Sequence, residues 1–198
     1  MISGTNSESI SPTVVQFGPV GGVHYYIHLA YQEAATIKYQ RIKFTSTSLD
    51  YQITNVVSSG SGYTNNTAPS ISLAGNNYPV ISWIGFNGQG IGKVNETTGI
   101  PGTVKKVVVR RGNNGTWGSF FKVGDNASNT NNNSITSSTE ATIIAWSEGS
   151  APNYASKWVR RTSSGYTDAH NISNNGKQNQ VSNGTSLTDI KSTVKNDF

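Results

Sequence analysis

"VVVRRGNNGTWGSFFKVG", residues 107–124, decides how this chain is read. An apolar run ends in Arg110 and Arg111, breaks at Asn113, Asn114 and Gly115, and restarts at Trp117. Two arginines beside a tryptophan suit a ligand site, and they suit one rung of a repeated scaffold equally well. A near-copy, "KWVRRTSSGYTDAHNI", stands at 157–172, and a weaker one, "KYQRIKFTSTSLDYQI", at 38–53. Repetition favours the scaffold: a strand, a turn made by polar and glycine residues, and a second strand.

Two further short apolar runs precede each copy. The first are "SPTVVQF" (11–17), "APSISLA" (68–74) and "NSITSST" (133–139), with a weaker "NQVSNGT" at 179–185. The second are "HYYIHLAYQ" (24–32), "YPVISWIGF" (78–86) and "ATIIAWSEG" (141–149), which put Tyr31, Trp83 and Trp146 in one column. The third, "TIKYQRIKF" (36–44), "VKKVVVRRG" (104–112) and "SKWVRRTSS" (156–164), put Arg41, Arg110 and Arg160 in another. The fourth are "LDYQITNVV" (49–57), "TWGSFFKVG" (116–124) and "YTDAHNIS" (166–173), and "LTDIKSTV" (187–194) reads as the opening of one more unit. The expected organisation is a flexible segment at 1–10, repeats at 11–57, 68–124 and 133–174, and a fourth start or cap at 179–198; residues 87–103 form a long loop inside the second repeat.

Four short strands per unit is the arithmetic of a propeller blade. A lone sheet with so few apolar residues cannot cover both its faces, and stacking one sheet on the next does so. The expected fold is therefore all-β, a partial or oligomer-completed β-propeller of four-stranded antiparallel blades, with a β-sandwich as the alternative. Three units fall short of the roughly four to eight that close a propeller. The missing blades are expected from a longer parent chain or from other copies.

Composition agrees with many turns. The 22 Asn, 26 Ser and 21 Thr make up more than a third of the chain, while 4 Trp, 9 Tyr and 6 Phe argue against disorder. The net charge of +5 is spread as one or two basic residues per apolar run, so no nucleic-acid partner is expected. Lys105, Lys106, Arg110 and Arg111, the densest group, read as a solvated strand face. Cysteine is absent, which excludes disulfides and thiol chemistry. No apolar stretch approaches the roughly 20 residues of a membrane span. The opening "MISGTNSESISPT" does not read as a signal peptide. An extracellular or cell-surface location is expected, with its export signal absent from this chain.

No motif carries chemistry by spacing. On a strand, His24 and His28 are about 13 Å apart, too far to share an ion, and His170 has no companion. "DNASNTNNNS" (125–134) offers one carboxylate, too few for a calcium loop. "GFNGQGIGK" (85–93) lacks the hydroxyl residue and helix of a phosphate loop. No catalytic residue, metal or cofactor is expected, and the seven Asn-x-Ser/Thr triplets mark polar turns.

The repeat resembles the sialidase-type, Asp-box (BNR) propeller repeat. Ile81-Ser82-Trp83 and Ile144-Ala145-Trp146 match its strand ending in Trp, and Tyr39-Gln40-Arg41 and Trp158-Val159-Arg160 match its Tyr-x-Arg strand. Gly115-Thr116-Trp117 keeps the end of the box; an asparagine replaces its aspartate, and Gly165-Tyr166-Thr167 has Tyr for Trp. The resemblance implies that the box is a fold-stabilising turn. It also implies an alternative, a sialidase-like glycoside hydrolase using Tyr31, Glu33 or Glu148, and Asp168. The leading expectation is a non-catalytic secreted or surface module of a larger bacterial protein that binds a glycan. Tyr63, Phe86, Trp117 and Tyr166 would stack on sugar faces, with Asn side chains bonding hydroxyls. A third expectation is a structural module that self-associates as a homo-oligomer.

Overall fold

A computed structural model of the chain describes residues 7–17, 24–45, 48–86, 105–113, 115–123, 130–138, 141–150, 153–162, 165–167 and 170–173. The expected loop at 87–103 and the expected cap at 179–198 lie outside these residues.

The described chain is all-β and forms three successive antiparallel sheets. The first runs β1 (Ser7–Phe17), β2 (His24–Glu33), β3 (Thr36–Phe44) and β4 (Leu49–Val56), each strand paired to the one before it. The second repeats this order with β5 (Thr64–Ala74), β6 (Tyr78–Phe86), β7 (Lys106–Asn113) and β8 (Thr116–Val123). The third has β9 (Thr130–Ser137), β10 (Thr142–Ser150) and β11 (Asn153–Thr162), and its fourth position is split into β12 (Gly165–Tyr166) and β13 (His170–Ser173), both paired to β11. Strand β1 begins at Ser7, so the ordered sheet reaches into the segment 1–10 expected to be flexible.

Why these strands stack is visible in the run Val107-Val108-Val109. Side chains alternate between the faces of a strand, and here both faces are buried. Val108 joins Ile81, Trp83 and Phe120 against Ala30, Ile37, Tyr39 and Val57 of the first sheet. Val107 and Val109 join Val80 and Val123 against Ile135, Ile144, Trp146 and Val159 of the third. Each fully buried side chain of this kind contributes about 1.5–3 kcal/mol relative to exposure. The middle sheet is thus a filling between two others. First strands follow one another, with β5 beside β1 and β2, and β9 beside β5 and β6.

Each seam is stitched by an asparagine from the incoming first strand. Asn66 Nδ2 donates to Ala35 O and Tyr63 O, and its Oδ1 accepts the indole N–H of Trp83 at 2.8 Å. Asn133 Nδ2 donates to Ala68 O at 2.8 Å, and its Oδ1 accepts Ser82 Oγ. Both asparagines are buried, at 3% and 2% exposure, where an unbonded amide would cost roughly 1–3 kcal/mol. Ala68 sits at φ +50, a strained position for a residue with a Cβ, next to the carbonyl that Asn133 holds.

Two sequence expectations need correction. Lys106 is buried rather than part of a solvated face, as is Lys122 of the adjoining strand. The strand register also moves one member of the arginine column. Arg41 stands opposite His28 and Arg160 opposite Ile143, each three residues before Tyr31 or Trp146. In the middle sheet Val80, three before Trp83, faces Arg111; Arg110 faces Ile81. Arg111 is the counterpart of Arg41 and Arg160, and Arg110 points into the opposite seam. Consecutive arginines cannot be told apart in a string, and they face opposite ways on a strand.

Candidate functional site

The β7–β8 hairpin closes through Asn113 paired with Thr116, across an Asn-Gly connection of the kind two-residue hairpins favour. Just inside it Gly112 faces Trp117. A Cβ on Gly112 would come within 3.1 Å of the Trp117 ring and of Pro79 Cγ. The missing side chain is what lets the indole lie across the neighbouring strand. From there Trp117 meets Tyr39 edge-on, with centroids 5.2 Å apart, and packs on the core shared with the first sheet. Its Nε1 is buried without a hydrogen-bond partner.

On the other side of this hairpin an open groove of about 390 Å³ follows the seam with the third sheet. Tyr78, Trp117 and Phe121 line it, along with Asn113 and the guanidinium-bearing residues Arg111 and Arg161. Arg111 lies over the Tyr78 ring, 5.4 Å from its centroid. The same diagonal recurs in the first sheet, where Arg41 lies over Tyr26 at 5.1 Å. Apolar ring faces, amide and hydroxyl groups and fixed cations together suit a polar ligand with flat apolar patches.

The other expected contact residues are placed differently. Tyr63 is a core residue at 7% exposure, and its ring fills the space that a Cβ on Gly85 would occupy, 2.8 Å away. Burial pushes its hydroxyl up to about 12. Phe86 is half-buried and borders a separate concavity of about 290 Å³ with Asn65, Thr67, Ile84 and Lys105. Tyr166 pairs through its backbone with Arg161, the position Trp117 holds opposite Gly112, and its side chain lies outside the described residues.

Of the column residues, Tyr31, Trp83 and Trp146 are buried at 2%, 0% and 0% exposure. Arg110 donates to Gly118 O at 2.8 Å and to Val57 O at 2.7 Å, and covers the Phe120 ring. It ties the middle sheet to the end of the first, and burial lowers its pKa. Arg41 and Arg160 are half-buried, and Arg160 N–H donates to Thr167 Oγ1.

The residues named for hydrolysis are engaged in pairing. Glu33 forms an ion pair with Lys38 on the next strand. Burial pushes the Tyr31 hydroxyl upward, against the pull of Lys38 and with the push of Glu33, opposite in direction to an activated nucleophile. Glu148, 2% exposed, accepts the Trp146 indole N–H at 2.7 Å and pairs with Lys157. Asp168 lies outside the described residues. Sequence reading weighed His28 only as a metal ligand; it is buried, its Nδ1 2.8 Å from Tyr39 Oη, and burial, then Arg41, lowers its pKa to about 4. His170 stacks on Trp158 at 4.8 Å. Among the described residues no three His, Asp or Glu side chains gather as a metal set, and no helix is long and apolar enough to cross a membrane.

No family model, no curated protein and no solved structure matches this chain.

Proposed function

We propose that this chain is a non-catalytic carbohydrate-binding module built on propeller-type blades, exported to the cell surface or beyond as part of a larger assembly. The observation that carries the reading is the groove beside the β7–β8 turn, where three aromatic residues and Asn113 line a surface about 390 Å³ in volume. Sugars present alternating apolar C–H faces and hydroxyl edges, and aromatic rings with amide groups match both. Support for the blade reading comes from three sheets of like order stacked face to face, with successive first strands adjacent. Ring closure then requires further sheets, from more of the same chain or from another copy.

A glycan array probed with the full chain tests this reading, followed by calorimetry on the best ligand. Binding without turnover is expected, and Trp117→Ala should weaken it at least 10-fold while circular dichroism stays that of a β protein. Because Trp117 also packs on Tyr39, Phe121→Ser on the groove's other wall serves as the second variant. A folded chain that retains no glycan, or folded variants that bind as well as the parent, would overturn the reading.

A further inference from the structure

We infer that the outer face of the third sheet is a docking site for one more first strand, and that its occupant is the chain's own segment 179–185 rather than β1 of a second copy. This rests on the blade part of the reading above and is independent of the carbohydrate part.

Each first strand places a serine opposite the residue that precedes the column aromatic. Ser11 stands opposite Ala30, Ser70 opposite Ser82 and Ser134 opposite Ala145. At the seam between the second and third sheets this serine has a task. Ser70 Oγ accepts the backbone N–H of Ile135, the residue after Ser134 on the incoming strand, at 3.2 Å. The serine of one sheet thus holds the first strand of the next.

Ser134 has the same place on the third sheet, and its Oγ is buried without a hydrogen-bond partner. So is the Oγ of Ser147, two residues past Ala145 and therefore on the same face. Among the described residues, Ala145, Trp158 and Ile143 on that face form an apolar cluster of their own. On the opposite face Ile144, Trp146 and Val159 join the second sheet. Buried hydroxyls without partners destabilise a fold. At Ser70 the next strand supplies the missing donor.

An occupant must therefore bring a backbone N–H to Ser134, as Ile135 does to Ser70. In β1 the residue after the serine is Pro12, opposite Leu29, and proline has no N–H. A second copy that laid its first sheet here would leave the Ser134 hydroxyl as it stands. The chain carries a better match in "NQVSNGT" (179–185), which lies outside the described residues. Set against "NSITSST" (133–139), it puts Asn179 at the place of Asn133 and Val181 at that of Ile135. Val181 has the amide that Pro12 lacks. Asn179 repeats the side chain that clamps the second seam through Ala68 O.

The test combines hydrogen exchange and thermal unfolding of the full chain. The Val181 amide should exchange slowly, and Ser134→Ala should speed its exchange at least 10-fold. Ser134→Ala should also lower the unfolding midpoint by roughly 2–4 °C, because it removes an acceptor that is in use. Val181→Pro, which copies the residue β1 carries here, should lower it too, and the double variant should unfold no lower than the worse single one. Ser70→Ala is the control at the described seam and should match Ser134→Ala. If Ser70→Ala lowers the midpoint while Ser134→Ala raises it and Val181 exchanges freely, the inference falls and the blade reading stands. Protection of Val181 that survives Ser134→Ala and grows with chain concentration gives the site to a second copy and likewise overturns the inference. If neither serine matters to stability, the serine link between sheets carries no weight, and the blade reading falls with the inference.

Discussion

His28 is the residue whose environment has the plainest thermodynamic consequence. It is 3% exposed, bonded to the Tyr39 hydroxyl, flanked edge-on by Tyr26 and close enough to Arg41 to feel its charge. Burial first, and that cation second, hold its folded-state pKa at about 4 against 6.5 for a free histidine. Between those values the unfolded chain binds a proton that the folded chain refuses. The stability His28 allows is therefore complete above about pH 6.5 and declines as pH falls toward 4, by up to about 3 kcal/mol in all. Urea unfolding at pH 7 and pH 4.5 checks this. Roughly 2 kcal/mol of the loss between those pH values should vanish in His28→Gln, and an unchanged slope would mean that other groups carry it.

Among the elements, β5 and β6 show how one small residue rearranges a repeat. In the first and third sheets the residue two past the column aromatic is a glutamate, paired to the lysine opposite that aromatic: Glu33 with Lys38, and Glu148 with Lys157. In the middle sheet that place is Gly85, and Tyr63 packs against its bare backbone. The indole of Trp146 has Glu148 as acceptor, and the indole of Trp83 takes Asn66 instead. Gly85, Tyr63 and Asn66 form a substitute for a missing ion pair. Gly85→Ala should then destabilise the chain by about 1–3 kcal/mol, because the new methyl group meets the Tyr63 ring and Cβ at 2.8–2.9 Å. Thermal unfolding reads the effect, and no change in midpoint would show that Tyr63 moves aside freely.

For the whole molecule, the two shared cores make the middle sheet the link between its neighbours. Its valines alternate between both seams, so damage at one seam is felt by strands that also build the other. Trp83, fully buried and bonded to Asn66, is the largest side chain of the first shared core. Trp83→Ala should cost about 3–5 kcal/mol. Amides of β10 and β11, which do not touch that core, should exchange faster in the variant as well, because unfolding is expected to be a single transition. Exchange that quickens only in the first two sheets would mean that each seam opens independently.

Alternating apolar runs, polar turns and the threefold recurrence of the "VVVRRGNNGTWGSFFKVG" pattern marked the grouping into three sheets, though not the split of the third sheet's last position into β12 and β13, because strand periodicity and turn chemistry are local and written in adjacent residues. The register of one strand on its neighbour, and the facing of one sheet on the next, depend on contacts between residues far apart in the chain. That is why Arg110 and Arg111 exchanged roles, why Tyr63 became a core residue under Gly85, and why the Asn66 and Asn133 clamps left no mark in the string. The groove is a product of the same long-range geometry: its two arginines stand 50 residues apart and meet at one seam because their sheets stack.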